Sequence, residues 1–174
     1  SSAASDVYKR QVLLKGHTFG QCGLYEPQKK LMFVGDQLMT TIVPIVGTQE
    51  TDLGMLKCYM NSLGELKHKY KDCYFLPCHY GEIKNVEKEV NRIIFGYMEK
   101  CEIMKHVLEE AGTALTTRDI GVRTYGRSQG PPDYAHFASC TQIWAKTFSC
   151  MEYMMGEGFI ERSERDGIIY WKAL

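Results

Sequence analysis

The chain has 174 residues, 21 basic and 21 acidic side chains and no formal net charge. That balance argues against a general nucleic-acid or membrane-surface binder, whose footprint is a basic excess. No apolar run approaches the roughly 20 residues of a membrane span, and a hydrophobic content of 44% is that of a globular protein large enough for one ordinary domain or two small ones.

In chain order, Ser1–Gln11 (SSAASDVYKRQ) reads as the in-frame translation of a transposase-type sequencing-library adapter and is expected to contribute nothing to the fold. On this reading the native chain begins near Val12, with upstream residues missing. From Leu13 to Leu38 runs LLKGHTFGQCGLYEPQKKLMFVGDQL. It holds a histidine on a glycine-bracketed turn (Gly16-His17-Thr18), a short strand through Tyr25, a polar turn at Glu26-Pro27-Gln28, and an apolar strand from Leu31 to Val34 that ends in Gly35-Asp36. Gln37–Gln49 is a loop with Pro44 and Gly47 as breakers. A helix follows from about Asp52, capped by Thr51 or Asp52, with Leu53, Leu56, Met60, Leu63 and Leu66 at helical spacing. Lys57, Glu65, Lys67, His68 and Lys69 mark its solvated side. Asp72–Pro77 reads as a buried strand that delivers Cys78-His79 at its carboxyl end. Strand, helix, strand is an α/β rhythm.

From Asn85 the pattern turns helical. Val86–Ala111 is a long helix with Gly112 as its C-cap; Thr116-Thr117 with Asp119 opens a second helix carrying Ile120 and Val122; Gly126–Asp133 is a polar break; Tyr134–Gly156 is a third helix. The tail, Gly158–Lys172, is a hairpin turning at Asp166-Gly167. Three helices and a two-stranded wing describe a winged helix-turn-helix. The expected domains are therefore residues 12–84 and 85–174.

Two strands with adjacent ends can hold an imidazole and a carboxylate at one point, as a borderline metal requires. The succession GHT…GD…LPxH, carried by His17, Asp36 and His79, resembles the second half of a metallo-β-lactamase-fold hydrolase of the glyoxalase II-like kind. The resemblance implies a partial αββα sandwich followed by a mostly α winged-helix appendage. It also implies a dinuclear zinc centre: His17 would bind one zinc ion, His79 the other, and Asp36 would be the bridging, catalytic carboxylate. Such a centre hydrolyses an ester-like bond of a small-molecule substrate, a thioester or less readily a phosphodiester or lactam. Metal binding lowers the pKa of a water to about 7.

The departures are equally specific. The family's first motif, histidine-x-histidine-x-aspartate-histidine, occurs nowhere among His17, His68, His79, His106 and His136; Gln21 stands where a second histidine often follows, and Cys78 replaces the glycine before the last histidine. Each metal would see one imidazole and the shared Asp36. The expectation is a fragment that binds zinc weakly and turns over nothing, although the intact product would be a hydrolase.

Without the resemblance, His17 and Asp36 are turn residues and His79 a core imidazole. His68 and His106 lie among charged residues, as exposed histidines do, and His136 is uncommitted. Cys22, Cys73, Cys78 and His79 have no recognised knuckle spacing, so buried thiols acting as small apolar groups are expected over a structural zinc cluster. Seven cysteines at irregular spacing suit reduced thiols in a cytoplasmic protein. The winged helix is expected to be accessory, shaping the substrate entrance or forming a homodimer contact, since the third helix offers one cation, Lys146. The rival reading is a winged-helix DNA-binding or regulatory interaction protein.

Overall fold

The computed structural model describes residues 10–48, 54–126 and 134–174, with the side chains of 134–139 left aside. Its elements are β1 (Arg10–Leu13), β2 (Cys22–Glu26), β3 (Leu31–Gly35), α1 (Met55–Lys69), β4 (Tyr74–Pro77), α2 (Val86–Ala111), β5 (Leu115–Thr116), α3 (Thr117–Tyr125), α4 (Tyr134–Gly156), β6 (Ile160–Arg165) and β7 (Ile168–Ala173). The chain is α/β, with two sheets and four helices among the described residues. It forms two compact units: residues up to Gly47 with Lys57–Gly96, and Thr48–Leu56 with Tyr97–Leu174. The division falls inside α2, between Gly96 and Tyr97.

In the first unit β1, β2, β3 and β4 lie side by side in that order. β1–β2 and β2–β3 are antiparallel, and β3–β4 is parallel with Met32 beside Phe75. Arg10 and Gln11, set aside on sequence grounds, belong to β1 and pair with Tyr25 and Leu24. Strand pairing uses backbone groups, so exposed side chains of any origin can occupy an edge. The strands alternate: Val12, Met32, Val34 and Phe75 point inward and are buried, with α1 contributing Tyr59, Leu63 and Leu66 and α2 contributing Val90 and Ile93 to the buried set.

The opposite face of the sheet is apolar as well. Residues paired across strands share a face, which places Leu13, Cys22, Leu24, Phe33 and Tyr74 together. Leu13 is 53% exposed, Leu24 40%, Phe33 41% and Tyr74 44%. The outward face of this sheet is therefore apolar and accessible to solvent.

In the second unit β6 and β7 form the expected hairpin, with Asp166 and Gly167 both at positive φ in its turn. β5 pairs with β7, giving the order β5-β7-β6. Thr116 caps α3 by accepting from the Asp119 amide, 3.1 Å, and its hydroxyl meets the Asp119 carboxylate at 2.7 Å. Trp171 is fully buried, edge-on to Phe148 at 5.8 Å, with its indole N–H donated to Thr117 Oγ1 at 2.8 Å. Thus a buried indole nitrogen finds its partner on the first residue of α3.

Candidate metal centre

The topology brings three loop ends to one edge of the first sheet. β2 runs against β3, so the β1–β2 loop carrying His17 lies at the carboxyl end of β3. β4 runs with β3, so the residues following each strand are neighbours. Asp36 follows β3; Cys78-His79 follow β4, and the Cys78 amide donates to Gly35 O at 3.2 Å. The register slips between Phe33 and Gly35, an irregularity that ends the parallel ladder beside the site.

The three residues named from sequence do meet. His17 Nε2 lies 3.8 Å from Asp36 Oδ2, and His79 Nε2 lies 3.5 Å from Asp36 Oδ1. His17 and Asp36 are about one-quarter exposed, whereas His79 is 62% exposed. His17 Nδ1 stands 2.8 Å from the Ile45 carbonyl oxygen. A carbonyl only accepts, so Nδ1 carries the hydrogen and a neutral ring turns its Nε2 lone pair toward the carboxylate. Two acceptors face each other there, and a cation between them, a proton or a metal ion, makes the arrangement favourable. Asp36 Oδ1 is buried without a hydrogen-bond partner.

Several residues hold this geometry that the sequence reading did not single out. Gln37 is fully buried; its Nε2 donates to Lys15 O at 3.3 Å and its Oε1 accepts from the His17 amide at 3.3 Å, pinning the His17 turn beside Asp36. Tyr59 donates its hydroxyl to Gln37 O at 2.8 Å, and burial holds that phenol well above its usual pKa. Arg92 donates to Met39 O at 2.7 Å and Ile42 O at 3.2 Å, anchoring the loop that presents Ile45. Only a polar residue inside an otherwise apolar stretch hints at Gln37; nothing local marks Arg92.

Two glycines are required. An added Cβ on Gly16 would stand 2.7 Å from Tyr59 Cα, and one on Gly35, where φ is +59°, would collide with the Gln21 side-chain amide. Gln21 in turn donates its side-chain amide to Val34 O at 3.2 Å.

The donor set fits zinc in kind but falls short in number. Ligand bonds of about 2.0–2.2 Å at a tetrahedral angle put neighbouring donor atoms roughly 3.3–3.6 Å apart. The His79–Asp36 separation lies in that range and the His17–Asp36 separation slightly beyond it. However, the imidazoles address different oxygens of Asp36, so each position receives two donors. Accordingly, no group of three or more His, Cys, Asp or Glu side chains suited to one metal is found among the described residues. Cys22 and Cys78 are exposed and Cys73 half-buried, which corrects the expectation that they act as buried apolar groups. His68 is exposed, and His106 is exposed with Glu110 at 3.2 Å. His136 lies in the first turn of α4, and its surroundings fall outside the described residues.

No family model and no curated protein matches the chain. Solved structures do. A metallo-beta-lactamase family protein from Thermus thermophilus superposes with a TM-score of 0.76 at 20% identity, over 94% of this chain and 49% of its own. A beta-lactamase domain protein from Burkholderia ambifaria superposes with a TM-score of 0.79 at 18% identity, over 95% of this chain and 48% of its own. The fold is that of one half of a metallo-beta-lactamase structure. This chain therefore spans about half the length of the structures it matches, and the likeness runs through both of its compact units. Among the described residues no helix is long and apolar enough to cross a membrane.

Proposed function

We propose that the chain is part of a zinc-dependent hydrolase of the metallo-beta-lactamase superfamily, acting in its intact form on a thioester or related ester-like bond in the manner of glyoxalase II. The observation that carries this reading is the disposition about Asp36: one imidazole toward each carboxylate oxygen, with the His17 ring committed through Nδ1 to Ile45. His17, Asp36 and His79 are the residues that would hold the metal ions. Bound zinc supplies a water of pKa about 7 and polarises a carbonyl.

The chain's own residues do the positioning. Ile45 O fixes the His17 tautomer, Gln37 fixes the turn, and Asp36 serves both metal positions from a strand end. Two donors per position are fewer than the three or four that zinc uses, so the reading includes donors from beyond these residues and no turnover by this chain alone. The second unit is read as a winged-helix appendage, supported by three helices and the strand order β5-β7-β6. Its role is read as accessory: on α4 the exposed Thr141 and Gln142 are uncharged and Lys146 is half-buried, and on the hairpin Lys172 lies 3.6 Å from Glu161. Seven cysteines at irregular spacing suit a reducing compartment such as the cytoplasm.

Calorimetric titration with Zn²⁺ tests the reading. The chain should bind zinc more weakly than about 1 μM, and Asp36→Asn should abolish that binding. Tight two-metal binding by the chain alone, or binding indifferent to Asp36→Asn, would overturn it.

A further inference from the structure

After β4 the chain reverses, so that Ile83 comes back beside Phe75 and donates its amide to Phe75 O at 3.2 Å. Two successive residues at positive φ lie in this reversal, Tyr80 at +68° and Gly81 at +78°. Glycine adopts that conformation freely and asparagine tolerates it, whereas a bulky side chain is crowded there. Among the described residues two other non-glycine side chains share it, Lys30 and Asp166, and each lies in the turn of an antiparallel hairpin. Tyr80 is the aromatic one of the three, and it directly follows His79.

The two imidazoles of the candidate centre are held differently. His17 is fixed through Nδ1 to Ile45 O, whereas Nδ1 of His79 has no hydrogen-bond partner among the described residues. The His79 ring is mostly exposed and meets Asp36 Oδ1 through Nε2 alone. What bounds it on another side is the Tyr80 ring, edge-on at 62° with 6.1 Å between centroids. The Tyr80 backbone is tied down in turn: Thr40 donates its hydroxyl to Tyr80 O at 3.1 Å, from the same loop that presents Ile45 to His17. The Tyr80 hydroxyl has no partner among the described residues, so the ring is what this side chain contributes.

We infer that Tyr80 is a positioning residue of the candidate metal centre: its ring limits the swing of the His79 imidazole and keeps Nε2 toward Asp36, the service that Ile45 O performs for His17. The inference rests on the zinc reading of that centre. Groups that orient a ligand set how well a metal is held. The crowded backbone at Tyr80 is then a local cost in stability that goes with the placement of His79.

Two variants of the full chain separate ring from backbone. Tyr80→Asn removes the ring and relieves the crowding; Tyr80→Phe keeps the ring. In the zinc-free protein, carbon relaxation of the histidine rings should show the His79 ring loosened in Tyr80→Asn and the His17 ring unchanged. The melting temperature of Tyr80→Asn should rise, and calorimetric titration with Zn²⁺ should show its affinity lowered about threefold to tenfold. Tyr80→Phe should match the unaltered chain in all three measurements. A His79 ring as ordered in Tyr80→Asn as before, or a Tyr80→Phe protein as loose as Tyr80→Asn, would overturn the inference while leaving zinc binding dependent on Asp36. Zinc binding indifferent to Asp36→Asn overturns the zinc reading instead, and the metal-free ring measurement still decides whether Tyr80 holds His79.

Discussion

His17 turns Nδ1 to the carbonyl oxygen of Ile45, 2.8 Å away, and that single contact decides which nitrogen the ring offers to Asp36. At a pH where the ring is neutral, nitrogen-detected NMR should find the hydrogen on Nδ1. A ring carrying its hydrogen on Nε2 would remove the lone pair from the candidate centre and with it the metal reading.

Gln37 should matter to stability as much as to the site. Gln37→Ala removes two hydrogen bonds and leaves the half-buried Lys15 carbonyl and His17 amide without those partners, a loss of about 1–3 kcal/mol. Chemical denaturation measures it. Because Lys15 O also accepts from Ser62 Oγ at 2.8 Å, the loss should sit toward the lower end of that range.

The two site glycines should not respond alike to alanine. At Gly16 the new methyl meets the backbone and ring of Tyr59, which is fully buried and cannot move aside, so Gly16→Ala should cost more than about 2 kcal/mol. At Gly35 it meets the tip of Gln21, which can swing away, leaving mainly the strain of positive φ, about 1 kcal/mol. Equal melting-temperature losses would show that the contact with Tyr59 is not what excludes a side chain.

Alkaline pH should unfold the chain. Burial raises the Tyr59 phenol well above its usual value. A group whose native pKa is raised holds its proton longer folded than unfolded. Its contribution to stability is therefore complete below the unfolded value of about 10 and is lost as pH rises above it. Cys150, fully buried beside Cys101, is raised in the same sense and begins the loss earlier, from about pH 8.5. Denaturation midpoints followed from pH 7 to 11 should fall, and tyrosinate absorbance for Tyr59 should rise only with unfolding.

Much of this was legible in the sequence where the signal is local. The spacing of Val90, Ile93, Tyr97 and Met104 predicts α2 at the bounds it has, and the Asp166-Gly167 pair predicts the β6–β7 turn. His17, Asp36 and His79 could be named because the succession GHT…GD…LPxH resembles a metallo-β-lactamase-fold hydrolase, whereas their local context alone reads as turns and a core imidazole. What stayed hidden is non-local. β5, two residues long, exists only because β7 returns to it, and its Thr116 reads equally well as a helix cap. Gln37 looks like the start of a loop, since its burial depends on Lys15 and Tyr59, 22 residues away on either side. The place of Arg10 and Gln11 in β1 is likewise a property of the backbone of β2, not of their own side chains.

The outward row of Leu13, Leu24, Phe33 and Tyr74 has a consequence for how this polypeptide behaves by itself. Water is a poor companion for a flat hydrocarbon layer of this kind, and the layer lies on hydrogen-bonded strands that cannot rearrange to hide it. The chain's difficulty is thus one of company and not of internal order: it can complete its ladders and caps and still be driven out of solution.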